Sequence, residues 1–154
     1  MKSEIIYSND STWFSRYGEY EGSSIVISAN FDNPAAWPYT YKRYETLDDE
    51  KTEVESKNLP RDLYQKIKDI IASHRELTTC KEHTQNAVSD GSDDAYYFAC
   101  DAFSRHIYGA SVHSCGRYEA EELPAHRRTE NYIVYTIVTE ITNALQAAGF
   151  DVYC

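Results

Sequence analysis

Four residues of metal-binding type stand in two close pairs near the middle of the chain. Cys80 and His83 are spaced C-x2-H within "ELTTCKEHT", and His113 and Cys115 are spaced H-x-C within "SVHSCGR". Thiolate sulfur and imidazole nitrogen are the usual zinc ligands, and close spacing within a pair favours convergence on one ion. The two pairs are about thirty residues apart, which fits no zinc module. We therefore expect no metal site, with a zinc-binding domain built on these four residues as the alternative.

The residues that could act as nucleophiles form no complete catalytic motif. "GASVH" begins like the G-x-S-x-G turn of serine hydrolases, but His113 stands where the second glycine must allow a tight turn. A thiolate activated by imidazole is a further option, with Cys100 and His106, or Cys115 and His113, as the pair. The six glycines form no phosphate-binding loop, so we expect no cofactor. A small Cys/His-dependent enzyme is thus the alternative to a binding protein.

Negative charge is the strongest compositional feature, with 25 acidic against 15 basic residues and a net charge of −10. The excess is clustered: "ETLDDEKTEVE", residues 45–55, holds six carboxylates and one lysine. Further clusters lie in "SDGSDDAYYFACD" and "EAEE". Such a field repels phosphate, so we expect no direct nucleic-acid binding and a basic protein as the partner. An acidic surface that only keeps the protein in solution is the simpler explanation of any one cluster.

Tyrosine is the second compositional feature, with 14 residues beside two tryptophans. A tyrosine ring can bury its body while its hydroxyl reaches water or a partner. The rings are expected to complete a core that is poor in aliphatic residues, or alternatively to line an exposed recognition face.

Charge and aromatic residues come together in one stretch of the sequence. Carboxylates steer a basic partner, and rigid aromatic rings supply contact area at low entropic cost. The sequence therefore predicts a partner-binding surface formed by Trp37, Tyr39, Tyr41, Glu45, Asp48, Asp49, Glu50, Glu53 and Glu55.

The elements that must position these residues are strands in the first third and helices later. "SSIVISANF" alternates Ile25, Ile27, Ala29 and Phe31 with polar residues, which is typical of a half-buried strand. The segments "SEIIYS", "YTYKRYET" and "TEVES" predict further strands, with "LDDEK" as the turn between the last two. "FDVYC" at the end of the sequence predicts a short strand.

Two segments repeat apolar residues at helical spacing: "NLPRDLYQKIKDIIASH", with Pro60 in its first turn, and "TENYIVYTIVTEITNALQAAG", with Thr129 as N-cap and Gly149 past its end. Residues 93–113 suit either a helix or a hairpin of "AYYFAC" and "RHIYGASVH", and their aromatic content favours the hairpin. The predicted fold is α+β, a single layer pair in which two helices pack on a mainly antiparallel sheet.

Length and hydropathy bear on organisation and location. The 154 residues are expected to form a single globular domain, residues 1–154, without linkers or repeats. No apolar run is long enough for a signal peptide or a membrane span, so we expect a cytoplasmic protein with reduced cysteines and no membrane contact. The oligomeric state is left open.

These observations together predict an acidic, tyrosine-rich, soluble binding protein or inhibitor that docks on a basic surface. Inhibitors of nucleases and of other nucleic-acid-handling proteins act in this way, by occupying a positive groove in place of nucleic acid. The general layout is similar to that of small bacterial immunity proteins and acidic phage-type inhibitors. This analogy of overall design assigns no role to an individual residue.

Overall fold

A computed structural model describes residues 3–14, 20–48, 50–80, 92–108, 121–122, 124 and 130–152. Six antiparallel strands and two α-helices build it, which confirms the predicted α+β fold. The strands are β1 (Ser3–Phe14), β2 (Tyr20–Asn30), β3 (Tyr39–Leu47), β4 (Glu50–Asn58), β5 (Ser92–Ala99) and β6 (Ser104–Tyr108). The helices are α1 (Arg61–Ser73) and α2 (Glu130–Ala147), and a 3₁₀ helix (Arg75–Thr79) follows α1.

The sheet order is β4-β3-β2-β1-β5-β6, so β1 lies at the centre between β2 and β5. The sequence predicted a strand only over residues 3–8, because the polar stretch "NDSTW" lacks an alternating apolar pattern. Hydrogen bonding to a neighbour on each side lets β1 continue through this stretch to Phe14. The predicted hairpin forms over residues 92–108, where Tyr97 pairs with His106. Residues 109–113, which were expected in its second strand, lie outside the described residues.

Both helices form where apolar residues recur at helical spacing. Leu63, Ile67 and Ile71 of α1 are buried, and so is the broad apolar stripe of α2. Gly149 ends α2 at φ +91°, a left-handed conformation that glycine adopts without strain. Thr129, the predicted N-cap of α2, lies outside the described residues. None of the described helices is long and apolar enough to span a membrane.

Two sequence expectations about strands are wrong. Phe150 and Val152 are buried against the core but belong to no strand. The Phe150 N–H donates to the Leu145 carbonyl oxygen of α2, and the Val152 carbonyl oxygen accepts from the Gln146 side-chain amide. Phe31 was expected on the apolar face of a strand, yet β2 ends one residue earlier and leaves its side chain 42% exposed. The prolines at 34 and 38 favour a loop at this point.

Tyrosine completes the core, as the simpler of the two alternatives predicted. Tyr7, Tyr41, Tyr64 and Tyr96 are each at most 3% exposed and pack with the aliphatic residues of both helices. Other tyrosines stand on the sheet face that the helices leave uncovered. Tyr97, for example, contacts the exposed His106 there, with their ring centroids 4.5 Å apart.

The uncovered face of the sheet is concave. Lys51 on β4 reaches Asp10 on β1 at 3.4 Å, although β3 and β2 lie between them. Three inter-strand spacings on a flat sheet span about 14 Å, farther than these two side chains reach together. The strands therefore curl toward this face, and the residues on the inner strands must be small.

Gly22 on β2 is one of these small residues. A Cβ atom at this position would lie 2.7 Å from the Ser11 carbonyl oxygen and 2.9 Å from Thr12 Cγ2. We expect Gly22→Ala to lower the free energy of unfolding by about 1–3 kcal/mol, because the backbone of β1 must move to relieve the overlap. Urea denaturation checks this, with Ser23→Ala as the control. Equal stability of the two variants would contradict the close packing of β1 on β2.

Candidate functional site

Of the four metal-binding candidates, only Cys80 lies among the described residues. Its side chain is buried, and its Sγ atom lies 3.5 Å from the Glu76 carbonyl oxygen. His83, His113 and Cys115 lie outside the described residues, so the zinc alternative stays a prediction. Within the described ranges, no group of three or more His, Cys, Asp or Glu side chains is arranged to hold a metal ion.

Cys100 and His106 both line one hollow of about 1080 Å³. Cys100 nevertheless packs against the core, whereas His106 is exposed on the opposite face beside Tyr97. A general base must come within hydrogen-bonding reach of the thiol it activates. The described geometry does not bring these two residues together as a nucleophile and its base. The other pair, Cys115 and His113, lies outside the described residues.

A charged cluster at one end of this hollow ties α1 to the sheet. Lys68 Nζ lies 2.8 Å from Asp101 and 3.3 Å from Glu4, and the Tyr64 hydroxyl donates a 2.6 Å hydrogen bond to Glu4. The hydrogen bond to Asp101 raises the pKa of Lys68 despite partial burial, and burial together with Glu4 raises that of Tyr64. The charged and hydrogen-bonding groups of this cluster pair with one another, so the cluster has a structural role.

The predicted partner-binding surface does not form one patch. Trp37 precedes β3 and Asp48 follows it, so the nine residues of that strand separate them by roughly 30 Å. Trp37 is 51% exposed and its indole nitrogen donates to the Leu59 carbonyl oxygen at 2.9 Å. It belongs to an aromatic cluster with Tyr39 at the start of α1, away from the acidic turn. Asp49 lies outside the described residues.

Tyr41 was expected on this surface, and the structure corrects that prediction. Its side chain is fully buried, with its ring centroid 5.0 Å from that of Phe150. Burial, and then the Glu55 carboxylate, raise the pKa of its hydroxyl. The alternation of β3 puts Tyr41 on the helix-covered face, which the sequence pattern could not distinguish from the uncovered one. A partner cannot contact the Tyr41 ring in the folded protein.

Basic residues on β3 and β4 neutralise part of the predicted acidic surface. Lys42 lies 3.1 Å from Glu53, and Arg43 lies 3.2 Å from Glu45 and 3.8 Å from Glu55. Lys57 Nζ also lies 3.2 Å from Glu55. Adding these three cations to the single lysine of residues 45–55 leaves six carboxylates against four basic groups. The negative potential of this surface is therefore weaker than the sequence indicates wherever the carboxylates take part in these ion pairs.

An open groove of about 610 Å³ lies at the far end of the β3–β4 hairpin, where β2 runs beside it. We call it the hairpin groove. Its main lining residues are Glu21, Glu45, Glu50, Leu47, Val54 and Thr52. Leu47 is 51% exposed and Val54 is 42% exposed, and Glu50 has no ion-pair partner among the described residues. Apolar side chains here lie beside carboxylates.

Sequence reasoning missed Glu21, Leu47 and Val54 as members of this site. Glu21 pairs with Leu47 across β2 and β3, more than twenty residues away along the chain. Val54 is the extra residue where the β3–β4 register shifts, since Arg43 pairs with Glu55 and Tyr44 with Glu53. Such bulges redirect a side chain. Val54 is the sole apolar residue of β4, and this is the one feature of the sequence that could have indicated its place in the site.

Similarity to known proteins does not identify the site. The chain matches no protein-family profile, and no curated protein is significantly similar to it in sequence.

Proposed function

We propose that this protein binds and inhibits a basic protein, in the manner of an immunity protein or a nucleic-acid-mimicking inhibitor of a nuclease or other nucleic-acid-handling protein. A cytoplasmic setting is part of the proposal. The observation that supports it best is the hairpin groove, where exposed apolar side chains adjoin carboxylates. The net charge of −10 attracts a cationic partner from a distance, and the groove offers a place for it to dock.

We therefore propose the hairpin end, rather than the region of Trp37 and Tyr39, as the docking region. Glu45, Asp48 and Glu50 are exposed there, beside the apolar residues of the groove. Interfaces combine a desolvated apolar centre with a charged rim that speeds encounter. Glu53 and Glu55 lie farther along β4, paired with Lys42, Arg43 and Lys57, and contribute less to steering.

Steering by this region predicts a kinetic effect. We expect Asp48→Asn with Glu50→Gln to slow association with a basic partner about three- to tenfold at low ionic strength, and to flatten its salt dependence. Asparagine suits position 48 because the backbone there has φ +48°, which Asn tolerates. The probes are purified basic nucleases and nucleic-acid-binding proteins, with acidic proteins as negative controls, measured by stopped-flow fluorescence.

The matched control removes two carboxylates elsewhere. Asp62→Asn with Asp69→Asn makes the same change in net charge on the exposed side of α1. The proposal is supported if the hairpin variant associates more slowly than the unmodified protein while the α1 variant associates at the same rate as the unmodified protein. No binding to any basic probe at low ionic strength refutes it. An unchanged salt slope in the hairpin variant removes this region as the docking site.

A further inference from the structure

The hairpin groove has features that solubility does not require. Carboxylates alone would keep the surface hydrated, yet Leu47 and Val54 stand half exposed between them. Single exposed apolar residues are common, but here two of them line the same groove. The bulge at Val54 accompanies this arrangement on an otherwise polar edge strand.

The chemistry of the groove fits a side chain that is apolar along its length and cationic at its tip. Arginine and lysine both bury an aliphatic stem while the charged head stays near water or an anion. The stem would lie on Leu47 and Val54, and the head would reach Glu45 and Glu50. At about 610 Å³ the groove also has room for residues that flank such a side chain.

Arginine suits this groove better than lysine. Its planar guanidinium donates two parallel hydrogen bonds to one carboxylate and is more weakly hydrated than an ammonium group. Glu45 already holds a guanidinium, since Arg43 Nη1 lies 3.2 Å from its Oε1 atom. Glu50, which is exposed and has no ion-pair partner among the described residues, is the available anion.

We propose that the hairpin groove is a seat for an arginine side chain of the basic partner, with Leu47 and Val54 as its floor and Glu50 as its anion. This inference rests on the proposed function and names the residue by which the partner is anchored. It predicts that the chemistry of the cation, and not its charge alone, determines affinity.

The test compares a short peptide of alternating arginine and serine with its lysine counterpart by isothermal titration calorimetry. We expect the arginine peptide to bind about tenfold more tightly, a difference of about 1.4 kcal/mol. Leu47→Ser should weaken the arginine peptide by a similar factor without any change in net charge. The control is Phe31→Ser, a comparable apolar-to-polar change at the opposite end of β2, which should leave both affinities unchanged.

Each outcome separates this inference from the proposed function. Equal affinity for the two peptides, with no effect of Leu47→Ser, overturns the arginine seat and leaves a purely electrostatic binder. Binding of neither peptide at low ionic strength overturns the seat and also counts against the proposed function. Sedimentation of the protein alone tests a further occupant: dimers that Leu47→Ser abolishes would show that a second copy fills the groove, and would overturn the proposal.

Discussion

Replacing Tyr41 by alanine is expected to lower the free energy of unfolding by about 3–5 kcal/mol. Tyr41 lies near the start of β3, is fully buried, and pairs with Ile27 on one side and Lys57 on the other. Its ring also packs on Phe150, which follows α2, so its loss opens a cavity between the sheet and the helical layer. Urea denaturation followed by circular dichroism measures the change.

Tyr41→Phe provides the matched control and a result of its own. The Tyr41 hydroxyl is buried and has no hydrogen-bond partner among the described residues. An unsatisfied buried hydroxyl is unfavourable, so its removal should leave stability unchanged or raise it by about 1 kcal/mol. A clear loss in Tyr41→Phe would mean that the hydroxyl is hydrogen-bonded, and would contradict this description of the core.

The same pair of variants separates stability from binding. If Tyr41 anchored a partner directly, the folded Tyr41→Phe protein would still bind, whereas folded Tyr41→Ala would dissociate faster. Because the ring is inaccessible, the folded fraction of Tyr41→Ala should bind a basic partner as the unmodified protein does, provided that the core repacks locally. Dissociation rates measured under strongly stabilising conditions check this expectation.

His74 should make stability depend on pH. Its Nδ1 atom lies 2.8 Å from Glu76 of the 3₁₀ helix, and its Nε2 atom lies 3.0 Å from Glu140 of α2. Only the imidazolium ion donates from both ring nitrogens, so the two contacts require the charged form. Burial lowers the pKa of His74, but the hydrogen bonds to Glu76 and Glu140 outweigh it and leave the pKa above its usual value of 6.5.

The direction in which pH changes the stability follows from the directions of these pKa shifts. A histidine whose folded-state pKa is raised stabilises the fold fully below its unfolded pKa of 6.5, and this contribution disappears as the pH rises through the folded-state pKa. Burial raises the pKa of Glu76, but hydrogen bonds from His74 and the backbone lower it overall, below its usual 4.5. The Glu76 contribution is therefore lost as the pH falls through that lowered pKa. The contributions of His74 and Glu76 are therefore both fully present between pH 4.5 and 6.5.

We expect His74→Ala to lower the free energy of unfolding by about 1.5–3 kcal/mol in this window, the range for hydrogen bonds to charged groups. The difference from the unmodified protein should shrink in alkaline buffer, where the imidazole is neutral. Denaturation at several pH values measures it, and nuclear magnetic resonance titration reports the pKa of His74 directly. The control, His106→Ala, removes an exposed histidine without a carboxylate contact in the described part of the chain. An equal, pH-independent loss in His74→Ala would show that only packing is involved.

Sequence patterns determined the local elements. The apolar repeats of α1 and α2, the alternation of β2 and β3, and the hairpin at residues 92–108 were all predicted, because each depends on residues close together in the chain. Gly149 at the end of α2 was predicted for the same reason: only its immediate neighbours decide where the helix stops. Composition likewise established the acidic character before any contact was known.

The tertiary structure decided what those elements do. Strand order, the central position of β1 and the face that the helices cover depend on residues far apart in sequence, which no local period specifies. Tyr39 and Tyr41 have the same side-chain type and lie two residues apart on the same face of β3, yet the second is buried completely and the first only in part. Glu45 and Glu50 are the same type of residue, but Arg43 lies two residues before Glu45 on β3 and pairs with it at 3.2 Å. Only the side-chain geometry shows this pairing, and it leaves Glu50 as the carboxylate of the hairpin groove that has no ion-pair partner among the described residues.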